Sequence, residues 1–181
     1  MIPSDHFVRF YNEVFKFLDE KNELKPYYLE ISRHQELHCY ECFMDKGLLG
    51  MEEYWGHIRK EENCVSYSEI INNVRYSYMN VCPSLSKVLD SDASPCEKYC
   101  AHCPGWLLPL MTKCGFYCGN TIIDPKEPHC RSFQTEDFEK AKAALQKWLD
   151  DGFDPKYITT NFDDYKIIEE NKKIRQARQA K

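Results

Sequence analysis

The sequence predicts an α+β fold, with a helical N-terminal half packed on a small antiparallel sheet that carries cysteine-rich loops. Three observations predict it. Apolar side chains recur at helical spacing over the first sixty residues. From Tyr67 to Cys82 the period changes, and Val74, Tyr76 and Tyr78 alternate with Arg75, Ser77 and Met79. Seven of the ten cysteines then crowd between Cys82 and Cys130, too many in one stretch to be placed without a use.

The elements follow in order. Ser4 is placed to cap a first helix, whose face is Phe7, Phe10, Tyr11, Val14, Phe15 and Leu18. Pro26 suits the first turn of a second helix that runs through Tyr28, Leu29, Ile31, Leu37 and Cys42 towards Gly47. A third helix is expected over 51–62, with Tyr54, Trp55 and Ile58 on one side. Asn72-Asn73 marks a turn between strands. Ser84 can cap a short helix ending at Leu89, and 91–95 is a loop.

The segment 106–113 reads as helix with Gly115 as its stop, and 116–123 reads as strand. Asp124-Pro125 and Glu127-Pro128 punctuate the chain before a returning strand at 130–133. Thr135 is placed to cap a last helix, with Glu136 and Asp137 in its positive first turn and Ala141, Ala144, Leu145 and Trp148 on its apolar face. One domain is therefore expected over 1–152: a helical part (1–64), a cysteine-rich sheet and loop part (65–134) and a helix (135–152). Residues 153–181 read as a polar C-terminal tail with little to bury.

Net charge is −5, which leaves no electrostatic footprint for nucleic acid. No apolar run approaches the roughly 18 residues of a membrane span. The first ten residues lack the basic and apolar regions of a secretory signal, so a cytoplasmic location is expected, where thiols stay reduced. That demotes a disulfide framework. Twelve tyrosines and ten phenylalanines imply an aromatic-rich core or pocket.

The cysteines carry the chemistry. Cys96, Cys100 and Cys103 form a C-x3-C-x2-C run ended by Pro104-Gly105. Thiolates are soft, charged donors that suit zinc or an iron–sulfur cluster. Cys82, Cys114, Cys118 or Cys130 supplies a fourth ligand, and His102 or His129 a nitrogen. The plainer reading is a helical stripe at 96, 100, 103 and 107 in which the thiols only pack. Cys39 and Cys42 share a helix face, and His34 and His38 precede them without the Glu of a metalloprotease helix. No nucleophile elbow and no glycine-rich phosphate loop is present.

C-x3-C-x2-C is also the spacing that holds a [4Fe–4S] cluster in radical S-adenosylmethionine enzymes. Here it lies mid-chain, with too few residues after it for that barrel. A wider similarity lies in Cys82-Pro83 at a strand end, a short helix, the acid-and-cysteine segment at 96–103, and Cys130-Arg-Ser-Phe in a late strand. In that order of features the chain resembles the L-2-amino-thiazoline-4-carboxylic acid hydrolase-like family. It departs from the family in its additional Cys100, Cys103, Cys114 and Cys118.

The resemblance implies hydrolysis of a cyclic C=N bond in a small sulfur- or nitrogen-containing molecule. It makes Cys82 or Cys130 the nucleophile and His129 the proton-transfer group, unless a metal on Cys96, Cys100, Cys103 and Cys82 activates water. The alternative is a non-enzymatic zinc or iron–sulfur protein. The partner expected is a small-molecule substrate or a metal, with a homodimer compatible and neither nucleic acid nor membrane expected.

Overall fold

The computed structural model describes residues 3–34, 37–62, 64–91, 94–124 and 126–180, with side chains from His6 onward. The fold is α+β, as its sequence periodicities imply. Three helices open it: α1 (Pro3–Glu20), α2 (Leu24–His34) and α3 (Leu37–Glu61). The expected second and third helices are rearranged, because α2 ends at His34 and α3 continues past Gly47 without a loop. Gly47 breaks the helical backbone at φ 59°, ψ −135°, a conformation that costs glycine least, and the helix resumes behind it. The Cys42 thiol donates to Gly50 O at 3.4 Å across this break.

A hairpin follows, β1 (Val65–Ile71) and β2 (Val74–Val81). Asn72 and Asn73 both take positive φ, 52° and 61°, which a two-residue turn matched to strand twist requires. Next come α4 (Pro83–Leu89), α5 (His102–Cys114), β3 (Tyr117–Asp124) and β4 (His129–Thr135). The cysteine segment is irregular at Cys96 and helical from Tyr99, so the expected cysteine-rich loop is only its first part. A 3-10 turn at Tyr99–Ala101 feeds α5 directly. Pro104 falls in the first turn of α5, where its missing N–H has no intrahelical acceptor to lose. Gly115 is the left-handed stop of α5, as its position suggests.

The chain closes with α6 (Phe138–Asp150), β5 (Ile158–Thr160) and α7 (Tyr165–Gln179). The cap of α6 is Asp137, whose carboxylate accepts from the Glu139 and Lys140 amides. Thr135, expected there, instead accepts from the Asp137 amide. The segment 153–181, read from composition as a tail, carries two elements of the fold. Ile168 is fully buried in the core, and Arg175 is nearly so. Arg175 donates to Cys114 O at 2.9 Å and to Glu136 at 2.7 Å, and its guanidinium lies 4.0 Å from the Phe116 ring centre.

The five strands form one antiparallel sheet in the order β1-β2-β4-β3-β5. Register sets its two faces. On one, Phe133 and Val74 meet Trp148 of α6. The other carries three rungs across β2, β4 and β3: Met79–Cys130–Ile122, Ser77–Ser132–Asn120 and Arg75–Gln134–Cys118. Cys118 packs there with Met51 of α3 and Leu110 of α5. A separate core joins α1, α2 and α4 through Phe15, Tyr28, Leu85 and Tyr99. Among the described residues, no helix is long and apolar enough to cross a membrane.

Candidate active site

Three chain segments converge where β2 ends, α5 begins and β4 begins. Cys82 leaves β2 and caps α4, its sulfur accepting from the Leu85 amide at 3.5 Å. Its own amide donates to Pro128 O, which ties it to the start of β4. Cys100 and Cys103 arrive on the 3-10 turn and the first turn of α5. Cys130 comes from the first rung of β4.

The four thiols sense one another. Burial raises the pKa of each, and charge on its neighbours raises three of them further: Cys103 acts on Cys82, Cys82 and Cys103 act on Cys100, and all three act on Cys130. Burial alone pushes Cys103 up to about 11, and Cys100 is pushed up to about 12. Cys82 is raised less strongly, because the Leu85 and Ser84 amides bond its sulfur and favour the thiolate. As residues all four are half-buried, whereas Cys114 and Cys118 are buried. The four form a cluster of desolvated thiols.

His102 is oriented between a carbonyl and one of these thiols. Its Nδ1 is 2.7 Å from Tyr99 O, and a carbonyl can only accept, so Nδ1 carries the hydrogen. That leaves Nε2 with its lone pair, 3.3 Å from Cys103 Sγ. Burial holds the imidazole below its ordinary pKa despite the Tyr99 bond, so it is neutral at pH 7. A thiol, an imidazole and an orienting carbonyl are the groups from which a nucleophile and its base can be built.

A pocket of about 250 Å³ opens beside this pair. Tyr11, Phe15, Tyr27 and Trp106 wall it, and His102, Tyr99 and Ser84 supply its polar groups. Ser84 Oγ and Tyr99 OH are 2.7 Å apart. A larger open cleft of about 680 Å³ lies between Asp19, Leu24, Pro104 and Asn161, and neither it nor the aromatic pocket is lined by a cysteine; the aromatic pocket reaches the thiols only through His102.

The structure therefore gathers Cys82, Cys100, Cys103 and Cys130 of the residues singled out by sequence. It sets Cys96 apart: the Cys96 amide donates to Asn12 of α1, and its charged neighbours are Asp19, Lys16 and Lys98. His129 precedes Cys130 in β4, so strand alternation sends the two side chains to opposite faces. His129 Nε2 lies 3.3 Å from Glu127, off line for a hydrogen bond. Cys114 and Cys118 are core residues, and Cys118 accepts from Gln134. Cys39 is buried in the α3 core. His34 and His38 do not converge, for His34 bonds Glu30 and His38 bonds Tyr54.

Among the described residues, no group of three or more His, Cys, Asp or Glu side chains stands where it could hold a metal ion. The four thiols cluster without forming a ligand shell. Sequence reasoning admitted His102 as a metal donor or as a neighbour of the thiols, but gave it no tautomer. That tautomer depends on the Tyr99 carbonyl, which only the 3-10 turn brings to Nδ1. No family model, no curated protein and no solved structure matches the chain. Fold and site together define an α+β protein with a cluster of desolvated thiols and an oriented imidazole.

Proposed function

We propose that this protein is a hydrolase-like enzyme that opens a C=N bond in a small cyclic molecule, with Cys103 as nucleophile and His102 as its base. One observation carries the reading: the bare His102 Nε2 sits 3.3 Å from Cys103 Sγ while Nδ1 is fixed on Tyr99 O. The order of motifs shared with the aminothiazoline-carboxylate hydrolase-like family supports the reaction class. Ten free cysteines fit a reducing compartment such as the cytoplasm.

The raised pKa of Cys103 shapes the mechanism. At about 11, a standing thiolate is scarce near neutral pH. The thiol proton therefore passes to His102 Nε2 as the sulfur attacks the C=N carbon, and the new C–S bond is balanced by protonation of the nitrogen. The adduct then collapses with cleavage of the carbon–nitrogen bond, the protonated nitrogen leaving as the amine. Water, deprotonated by the same imidazole, adds to the thioester-like carbon, and Cys103 departs and takes its proton back from His102. Cys82 and Cys130 wall the reacting centre as neutral thiols.

The test is turnover of 2-aminothiazoline-type rings, read as release of thiol or amine in excess over protein. Cys103→Ser and His102→Gln are expected to abolish it, while Cys96→Ser retains it. Turnover that survives Cys103→Ser overturns the assignment. Stoichiometric zinc, or iron and sulfide in protein purified without oxygen, overturns it in favour of a non-enzymatic metal protein.

A further inference from the structure

The aromatic pocket beside His102 selects among ligands by charge. Its walls are Tyr11, Phe15, Tyr27 and Trp106, and no Lys or Arg lines it. Tyr11 and Phe15 lie nearly parallel, with centres 6.1 Å apart and planes at 17°. Tyr27 meets Phe15 edge-on at 6.3 Å, and the His102 ring lies 5.6 Å from Phe15. A space of about 250 Å³ bounded this way accepts one flat ring rather than an extended chain.

The electrostatics are one-sided. Aromatic faces are electron-rich and attract cations, not anions. The His102 imidazole is held neutral and offers an anion no charge. None of its lining side chains is acidic or basic except the neutral His102, and its polar groups include the Ser84–Tyr99 hydroxyl pair and the His102 ring. These match the donor and acceptor edge of an amino-substituted C=N ring. A carboxylate entering here would lose its water with no cation to replace it.

We infer that this pocket binds a small, flat, C=N-containing heterocycle that carries no negative charge. This rests on the hydrolase-like reading and narrows it, since the resembled family is named for a carboxylate substrate. The substrate class assigned here is the ring without its acid.

The probes are 2-aminothiazoline and 2-aminothiazoline-4-carboxylate, each titrated against the full chain by calorimetry and by tryptophan fluorescence, with turnover measured separately. The parent ring is expected to bind at least about tenfold more tightly than the carboxylate, the least that an unpaired buried carboxylate should cost. Tyr11→Ala removes a wall residue that is 42% exposed, so folding should not depend on it. It should weaken the parent ring several-fold, and Ser84→Ala should do the same.

Equal or tighter binding of the carboxylate, or binding unmoved by both variants, overturns the inference. So does failure of both probes to bind. Binding of the parent ring without turnover upholds the pocket and removes the hydrolase reading. Turnover of the carboxylate at the lower KM upholds the hydrolase and removes the pocket.

Discussion

The guanidinium of Arg75 in β2 donates to the carboxylate of Glu52 in α3 at 2.6 Å, tying the inner face of the sheet to the kinked helix. Arg75 also donates to Gln134 at 2.8 Å, and Glu52 accepts from Ser68 at 2.8 Å. Burial pulls the Arg75 pKa down, and the Glu52 charge opposes that.

Removing one partner should therefore cost more than removing the charge that needs it. Glu52→Ala is expected to lose about 3 kcal/mol, the low end for breaking a buried pair, because Glu52 itself is part exposed. Arg75→Met should lose less. Urea denaturation of both variants checks the order, and an Arg75→Met loss larger than that of Glu52→Ala would contradict it.

The thiol cluster should make the fold sensitive to alkali. Unfolded thiols ionise near pH 8.5, whereas Cys103 and Cys100 ionise at about 11 and about 12 in the fold. Between those limits the unfolded state sheds protons that the folded state keeps, so stability falls as pH rises, by up to about 1.4 kcal/mol per pH unit for each group. Melting temperature measured from pH 7 to 10.5 should drop more steeply in the native sequence than in Cys100→Ala/Cys103→Ala. Parallel curves would argue against it.

On the acid side His102 acts in the opposite direction. Its folded pKa lies below the unfolded value near 6.5, so the unfolded state binds the proton first. Stability is then lost as pH falls through about 6.5 towards the folded pKa. His102→Gln should remove that part of the loss between pH 7 and 5.5, leaving the shallower slope of the carboxylates. NMR of the imidazole should show it unprotonated at pH 6.5.

Two glycines provide a matched pair. Gly115 and Gly152 both have positive φ, 73° and 86°. A Cβ on Gly115 would lie 2.3 Å from Lys172 N of α7, whereas one on Gly152 would meet nothing within 4 Å. Gly152→Ala should cost only the conformational penalty, about 1–2 kcal/mol. Gly115→Ala should cost more and raise hydrogen exchange in α7. Equal losses would mean that α7 yields without penalty.

Legibility followed locality. The Asn72-Asn73 turn, the Gly115 stop and the strand alternation of β2 are written in adjacent residues, and they were readable. So were the places of Cys82 at the end of a strand and of Cys130 in a late strand. What resisted reading depends on distant partners. The polar run from 153 hides α7 because its anchors are isolated: Ile168 in a hydrophilic stretch, and Arg175, whose burial rests on Glu136 and Cys114 O. Pro104-Gly105 suggests an interruption, yet Gly105 is needed where the Tyr28 ring of α2 passes 2.5 Å from any Cβ. His102 looks like a metal donor until the Tyr99 carbonyl fixes its tautomer.

The break at Gly47 has a consequence for the order of assembly. Gln179, near the end of α7, donates to Met44 O beside the break, at 3.1 Å. Arg178 bonds Glu41 and Asp45 on the preceding turn. A helix made early in synthesis is thus finished by one made more than a hundred residues later. Closing so long a loop is a non-local step that pays its entropy before any contact returns it. During translation α3 should leave the ribosome as two loosely hinged halves. It becomes one element only when α7 docks, so shortening the chain from its C-terminal side should loosen a helix that lies in its first third.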